Sequence, residues 1–311
     1  MDKIDFFIPL HKFNFTIKIV VEGIIQLYHP RSIHIVTPQK ELFCLETAIL
    51  FWKGYDNQIF CHEDESFFVE NYYLDKEMIE KWYCKKDEHS REFGWWYQQI
   101  LKLGAMTQIP GISDPYIVWD SDLIPLQKWQ LYDETTGKYK FAILQKTAKN
   151  EWNRQQYASS IFDLTGIKEV VEPPTGGTFV PHHFVLHHKV IESLLIHIEE
   201  NSKNRGDTTY GTWIECIVYL TRDHYRFSEY KCIANYMLEN FDNLLEYHPF
   251  SAYGKKGLRF RESEEMVEEI KKYFDMLKIK WDEIGYEDMI DFCKSYFWEL
   301  PSYIQLEHVE S

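Results

Sequence analysis

The run YIVWDSDLIPL, residues 116–126, places two carboxylates, Asp120 and Asp122, two positions apart directly after a short apolar stretch. In a continuing strand residues i and i+2 share a face, and at a strand end both acids can reach one hard cation through oxygen. Two solvated turn aspartates would carry the same letters, so the informative part is the apolar strand in front of them. Ligands of open α/β sheets bind outside the carboxyl ends of strands. Other groups with chemical potential are scattered. Lys102 lies on a predicted helix before the acids, where it either meets a phosphate or ribose or is solvated. His183 and His187 stand at the i, i+4 spacing of a zinc pair on a helix, without an accompanying HExxH. Lys255, Lys256, Arg259 and Arg261 form the dense basic stretch.

The elements that must position these groups begin at the N-terminus. Ile4 to Leu10 is an apolar run, Ile17, Val20, Val21 and Ile24 recur at helical spacing, and Ile33 to Val36 is apolar again. Strand, helix and strand in so short a span predict a right-handed βαβ unit and hence a parallel α/β sheet. Residues 54–90 lack clear periodicity and are expected to decorate that sheet. Trp96, Ile100 and Leu103 mark a helix, Tyr116 to Trp119 a strand, and Phe141 to Leu144 another. Further helices are predicted around Val190 to Ile198, Trp213 to Leu220 and Tyr230 to Leu238. Two more follow in the tail, one after a Ser263 cap through Leu277, the other from Tyr286 to Phe297.

Composition bounds the possibilities. With 311 residues and 45% hydrophobic content, the chain can bury roughly 75% of its unfolded surface. Its 34 basic and 49 acidic residues give a net charge of −15, which speaks against a surface that tracks nucleic-acid phosphates. A small phosphorylated ligand stays compatible with that charge if a divalent cation mediates. No apolar run reaches the roughly 18 residues of a membrane span. The six cysteines include no CxxC pair and the N-terminus no basic, long-apolar leader, so a reducing, cytoplasmic location is expected.

On these motifs the chain resembles the GT-A nucleotide-sugar glycosyltransferases, whose D-x-D motif binds a divalent metal and the donor diphosphate. GWWYQQILKLGA (Gly94–Ala105) resembles the helix before that motif, TGGTFVPHHFVLHHKVIESLL (Thr175–Leu195) the glycine-bearing acceptor-side loop, and FSEYKCIANYML (Phe227–Leu238) the segment where inverting members carry an acid at a helix start. EYHPFSAYGKKG is similar to the histidine and basic loop that close over metal and diphosphate. The acid here stands in Ser228-Glu229-Tyr230 rather than in a Glu-Asp pair. The chain is most similar to glycosyltransferases of large algal viruses, the chloroviruses, and among these to a xylosyltransferase.

The resemblance implies a mixed, mainly parallel Rossmann-like sheet flanked by helices over residues 1–260, with a helical extension over 261–311. It implies transfer of a sugar, xylose for preference, from a UDP-sugar to a glycan hydroxyl with Mn²⁺ or Mg²⁺. Metal would sit on Asp120, Asp122 and His248. The donor would lie among Ile8, Pro9, Leu10, Lys102, Asp120, Ser121, Asp122, Lys255 and Lys256. Gly176, Gly177, His182, His183 and Trp213 would face the acceptor. Glu229 would be the base of an inverting reaction, and burial would raise its pKa for that task; equally, Ser228 can cap a helix and Glu229 complement its dipole. Trp95, Trp96 and Trp213 can stack on sugars or pack in a core. Two rival readings are a haloacid-dehalogenase-like phosphatase with Asp120 as nucleophile, and a glycan-binding protein without turnover.

Overall fold

The computed structural model describes residues 4–52, 58–84, 90–133, 135–141, 151–171, 178–206, 211–221, 227–247, 256–261 and 263–307. The predicted βαβ start is present: β1 (Asp5–Pro9), α1 (Phe15–Tyr28) and β2 (Ile33–Thr37), with β1 and β2 parallel. Asn14 caps α1 by accepting the Thr16 N–H at 3.0 Å, and His29 ends it in the left-handed region at φ 50°. The buried stripe Ile17, Val20, Val21 and Ile24 packs onto the sheet.

After α2 (Gln39–Ile49), the segment expected to be decoration contributes β3 (Ile59–Glu63), a parallel edge strand, followed by α3 (Val69–Tyr72) and α4 (Lys76–Tyr83). As an edge strand it leaves Phe60 48% exposed, which weakens the alternation by which it would be recognised. The long α5 (Ser90–Gln108) then leads to β4 (Tyr116–Trp119), fully buried and parallel to β1. Next come β5 (Leu123–Pro125), β6 (Tyr132–Asp133), β7 (Lys138–Phe141) and α6 (Glu151–Thr165). Residues 142–144 of the strand predicted at Phe141 lie outside the described residues.

The chain continues through β8 (His183–Leu186), α7 (His188–Asn204), α8 (Trp213–Thr221), α9 (Glu229–Asn240), β9 (Leu245–Tyr247), β10 (Leu258–Phe260), α10 (Glu264–Leu277), α11 (Tyr286–Tyr296) and β11 (Tyr303–Leu306). The central sheet has the order β3-β2-β1-β4-β8, parallel except for β8. It is thus the mixed, mainly parallel, helix-flanked sheet that was expected. The C-terminal segment holds its two predicted helices and also β11, which lies between β10 and β5 in a second, three-stranded sheet. Close approach makes that strand possible: a Cβ on Gly257 would lie 1.6 Å from the Tyr303 ring. Ser263 makes no side-chain cap to α10; its hydroxyl donates to the Glu307 carbonyl at 2.6 Å. Among the described residues no helix is long and apolar enough to cross a membrane.

Candidate active site

Strand order reverses at β1, with β2 on one side and β4 on the other, and such a switch point opens a crevice at the carboxyl ends of the strands. Asp120 follows β4 directly. Continuing the register Phe7↔Val118 sets Pro9 level with Asp120, so the buried Ile8, Pro9 and Leu10 form the apolar ground beside the acids. The Asp120 N–H donates to the His182 carbonyl at 2.9 Å, extending the β4–β8 ladder by one residue. His182 sits at φ 60°, a conformation that costs a non-glycine residue about 1–2 kcal/mol. That places its Nδ1 2.8 Å from Asp120 Oδ2.

Lys102 is no solvated lysine. Only 2% exposed, it projects from α5 between two carboxylates, with Nζ 2.5 Å from Asp120 Oδ1 and 2.8 Å from Glu229 Oε1. Its ammonium also lies 4.5 Å from the centre of the Tyr230 ring, whose hydroxyl donates to Asp120 Oδ1 at 3.0 Å. Gln99, one turn earlier on α5, accepts the Glu229 N–H at 3.1 Å. Ser228 caps α9 by accepting the Lys231 N–H at 3.4 Å, so Glu229 stands in the first turn as well as in the site. Burial alone would depress the Lys102 pKa; the facing Asp120 and Glu229 charges reverse this and hold it charged. Burial would likewise raise Asp120, but Lys102 and His182 bring it below the usual carboxylate range.

Asp122 is different. The turn through Ser121 is closed by the Leu123 N–H donating to Asp120 O at 3.1 Å, and the Leu306 N–H of β11 donates to Asp122 O at 3.1 Å. Among the described residues its carboxylate accepts only from Gln305 Nε2, 3.3 Å from each oxygen. Burial, and after it the negative Asp120, push the Asp122 pKa up to about 6. Gln305 Nε2 also lies 3.2 Å from His182 Nδ1 and 3.5 Å from Glu307 Oε1. Since Asp120 takes the Nδ1 proton of His182, the amide hydrogens of Gln305 are left to the acids. Gln305 Oε1 is buried with no hydrogen-bond partner among the described residues. Glu307 is held by Arg259, Nε to Oε1 at 2.6 Å.

A divalent cation fits Asp122 better than Asp120. The oxygens of Asp120 already serve Lys102, Tyr230 and His182, whereas Asp122 has a thinly bonded carboxylate among further oxygen atoms, the hard donors that Mg²⁺ and Mn²⁺ select. No group of three His, Cys, Asp or Glu side chains able to hold a metal occurs among the described residues. His248, expected as the third ligand, lies outside them, as do Lys255, Gly176 and Gly177.

The remaining expected site residues are dispersed. Lys256 is exposed, with Nζ 3.6 Å from Glu299. His183 packs in the core against Trp119 and Trp129, ring centres 4.9 and 4.5 Å away. It lies in β8 while His187 precedes α7 and bonds Asp114, so the two share no helix face and the zinc-pair spacing does not apply. Trp213 is 1% exposed, wedged against Phe68 and Tyr72, and offers no face to a sugar. Trp96 is buried as well, whereas Trp95 is 41% exposed. Sequence reasoning did not find Tyr230, Gln99, Gln305 or Glu307. The one signal for Gln305 is an amide inside the apolar run YIQL.

Comparison with known proteins adds a family and several distant likenesses. The search of curated proteins by sequence returns no match. Solved structures similar to this one include mouse xyloside xylosyltransferase 1 in its apo form, with 11% identity, TM-score 0.48 and 97% of each chain covered. A complex of galactosyltransferase LgtC with donor and acceptor sugar analogues has 7% identity, TM-score 0.42 and coverage of 97% of this chain and 86% of that one. For the PaToxG glycosyltransferase the values are 9%, 0.35, 94% and 85%. Likenesses at this level carry nothing about the chemistry of individual residues. Residues 12–276 match the family described as "Family of unknown function (DUF6492)", and to that family the chain belongs.

Proposed function

We propose that this protein is a glycosyltransferase that moves a sugar from a UDP-sugar to a glycan hydroxyl, with a divalent cation held at Asp122. The observation that carries the reading is the contrast within the acidic pair: at the switch point of the sheet Asp120 is neutralised internally by Lys102, while Asp122 keeps an under-bonded carboxylate. When bound, Mn²⁺ or Mg²⁺ supplies Lewis-acid neutralisation of the departing diphosphate. The chain's own residues do the positioning. Ile8, Pro9 and Leu10 give an apolar floor for the nucleobase; Lys102, Tyr230 and His182 fix Asp120, and through the Ser121 turn they fix the direction of Asp122. His248, Lys255 and Lys256 are assigned to closure over the diphosphate, and Gly176 and Gly177 to the acceptor side, by the family resemblance alone. The preference for UDP-xylose rests there too.

Glu229 serves this reading as a positioning residue. A general base must meet the hydroxyl it deprotonates, and the Glu229 side chain is 4% exposed and bonded to Lys102. Inversion with Glu229 as base therefore requires that carboxylate to leave Lys102 during the reaction. The anomeric configuration of the product, read by NMR, decides between the courses: an inverted product with turnover lost in Glu229→Gln assigns the base, and a retained configuration removes it. The phosphatase reading needs a free Asp120 oxygen for attack, which Lys102, Tyr230 and His182 occupy.

The decisive experiment is thermal denaturation with UDP, UDP-xylose and UDP-glucose, each with and without Mn²⁺, followed by assay of UDP release. A ligand at about 100 times its Kd adds about 2.7 kcal/mol to the native state, so a UDP-dependent rise that needs the cation is expected. Absence of a shift for every nucleotide in Mn²⁺ would overturn the proposal, and a phosphoenzyme trapped on Asp120 would replace it. Glycan affinity indifferent to nucleotide and cation would instead mean binding without turnover.

A further inference from the structure

Gln305 is 1% exposed in a strand whose other members, Tyr303, Ile304 and Leu306, are buried and apolar. An apolar residue would serve packing there. Instead the position carries a carboxamide of which one half, Nε2, touches Asp122, His182 and Glu307, while the other, Oε1, is buried and has no partner among the described residues. Buried polar atoms without a partner are rare enough in native proteins that each calls for a reason. The neighbours settle the orientation: exchanging N and O would set Oε1 against two carboxylates with no hydrogen between them.

We propose that Gln305 is a ligand residue of the cation site, its Oε1 serving as a neutral oxygen donor beside the Asp122 carboxylate. The inference rests on the reading that Asp122 holds a cation, and extends it to a residue 183 positions away in the chain. Hard divalent cations take oxygen ligands, and carboxamide oxygens serve beside carboxylates in such ligand sets. A neutral donor at this point adds an oxygen without adding charge to Asp120, Asp122 and Glu307. The terminal amide torsion of Gln is soft, so the group that offers Nε2 to a bare carboxylate can offer Oε1 to a cation on that carboxylate. β11 holds it in register, with Gln305 opposite Leu123 and the Leu306 N–H on Asp122 O.

The test is titration of the full-length chain with Mn²⁺ alone, reading the electron paramagnetic resonance of the free aqueous ion, for the wild type, Gln305→Leu, Gln305→Met and Gln305→Glu. Loss of the oxygen donor in Leu or Met should weaken Mn²⁺ binding about 10- to 100-fold, the scale seen when metal-site partners are removed. The Met variant keeps the side-chain length and covers the case in which Leu does not fold. Glu restores an oxygen donor and should bind Mn²⁺ at least as tightly as wild type. Wild-type affinity in all variants overturns the inference. So does a Glu variant as weak as Leu, because Gln305 would then act only by donating its N–H to Asp122. A wild type that binds no Mn²⁺ overturns this inference together with the cation reading of Asp122, whereas binding that is lost in Asp122→Asn but unchanged in Gln305→Leu overturns this inference alone.

Discussion

Two buried acidic centres occupy opposite ends of the same parallel strands. At the amino end Asp5 opens β1, fully buried, and both of its carboxylate oxygens and its backbone N–H are answered. Arg31 donates Nε to Oδ1 at 2.9 Å and a second nitrogen to Oδ2, the Ser113 N–H donates to Oδ2 at 2.8 Å, and the Asp5 N–H donates to Ser113 Oγ at 2.8 Å. At the carboxyl end Asp120, Asp122, Glu229 and Glu307 gather around a few donors, Asp122 is pushed up to about 6 by burial and by Asp120, and Gln305 Oε1 has no partner among the described residues. A charge kept for architecture is saturated, because each buried unpaired group costs about 1–3 kcal/mol. A centre that leaves like charges together and an acceptor unanswered carries that cost, which is the pattern of a functional-site candidate and agrees with the cation site proposed above.

Breaking the internal ion pair of the carboxyl-end centre should have the largest effect. Lys102→Met leaves Asp120 and Glu229 buried without their cation, and about 3–5 kcal/mol of stability should be lost in urea denaturation. Adding Glu229→Gln should recover part of it; a Lys102→Met protein as stable as wild type would show that this network does not hold α5 to α9. Asp122→Ala should cost about 10²- to 10³-fold in turnover and abolish Mn²⁺-dependent UDP binding in calorimetry. Its urea midpoint should stay in place, since the residue forms no ion pair among the described groups. Undiminished UDP and Mn²⁺ affinity would remove Asp122 from the site.

The amino-end centre should respond in the opposite currency. Arg31→Leu strips donors from the buried Asp5 and should cost about 1–3 kcal/mol in stability with UDP affinity unchanged. Affinity falling in step with stability would erase the distinction between the two ends. The smallest expected effect is a slope. His34, 3.1 Å from His62 and near Asp5, has its pKa lowered to about 4, by burial first and then by His62. The unfolded histidine binds its proton below about 6.5 and the folded one resists until about 4, so this stability is present above pH 6.5 and is lost as pH falls through that window, at no more than about 1.4 kcal/mol per pH unit. Melting temperatures of His34→Phe between pH 7 and 4 should fall less steeply than those of wild type.

Much of the frame was legible because it is local. The spacing of Ile17, Val20, Val21 and Ile24 and the apolar YIVW run are written in consecutive residues, and both became the elements they predicted. β3 and β8 escaped because each lies at an edge of the sheet, in polar or histidine-rich sequence whose pairing is supplied by a neighbour. β11 escaped because Gln305 interrupts its apolar run, and its partner β5 comes from the middle of the chain. Among candidate residues, Asp120 and Asp122 were visible as a pair, but nothing in their spacing separates a neutralised acid from an under-bonded one.

That division marks what sequence and tertiary structure each decided. By itself the sequence determined a βαβ start, a strand delivering two acids to its carboxyl end, and helices of known face, since backbone periodicity and side-chain type act over a few residues. Only the tertiary structure decided which acid is neutralised by an ion pair, because that depends on donors arriving from far away. Lys102 on α5 and Tyr230 on α9 converge on Asp120, while Gln305 on β11 reaches Asp122. Charge and hydrogen bonding act through space, and it is the packing of α5, α9 and β11 around the end of β4 that sets those distances.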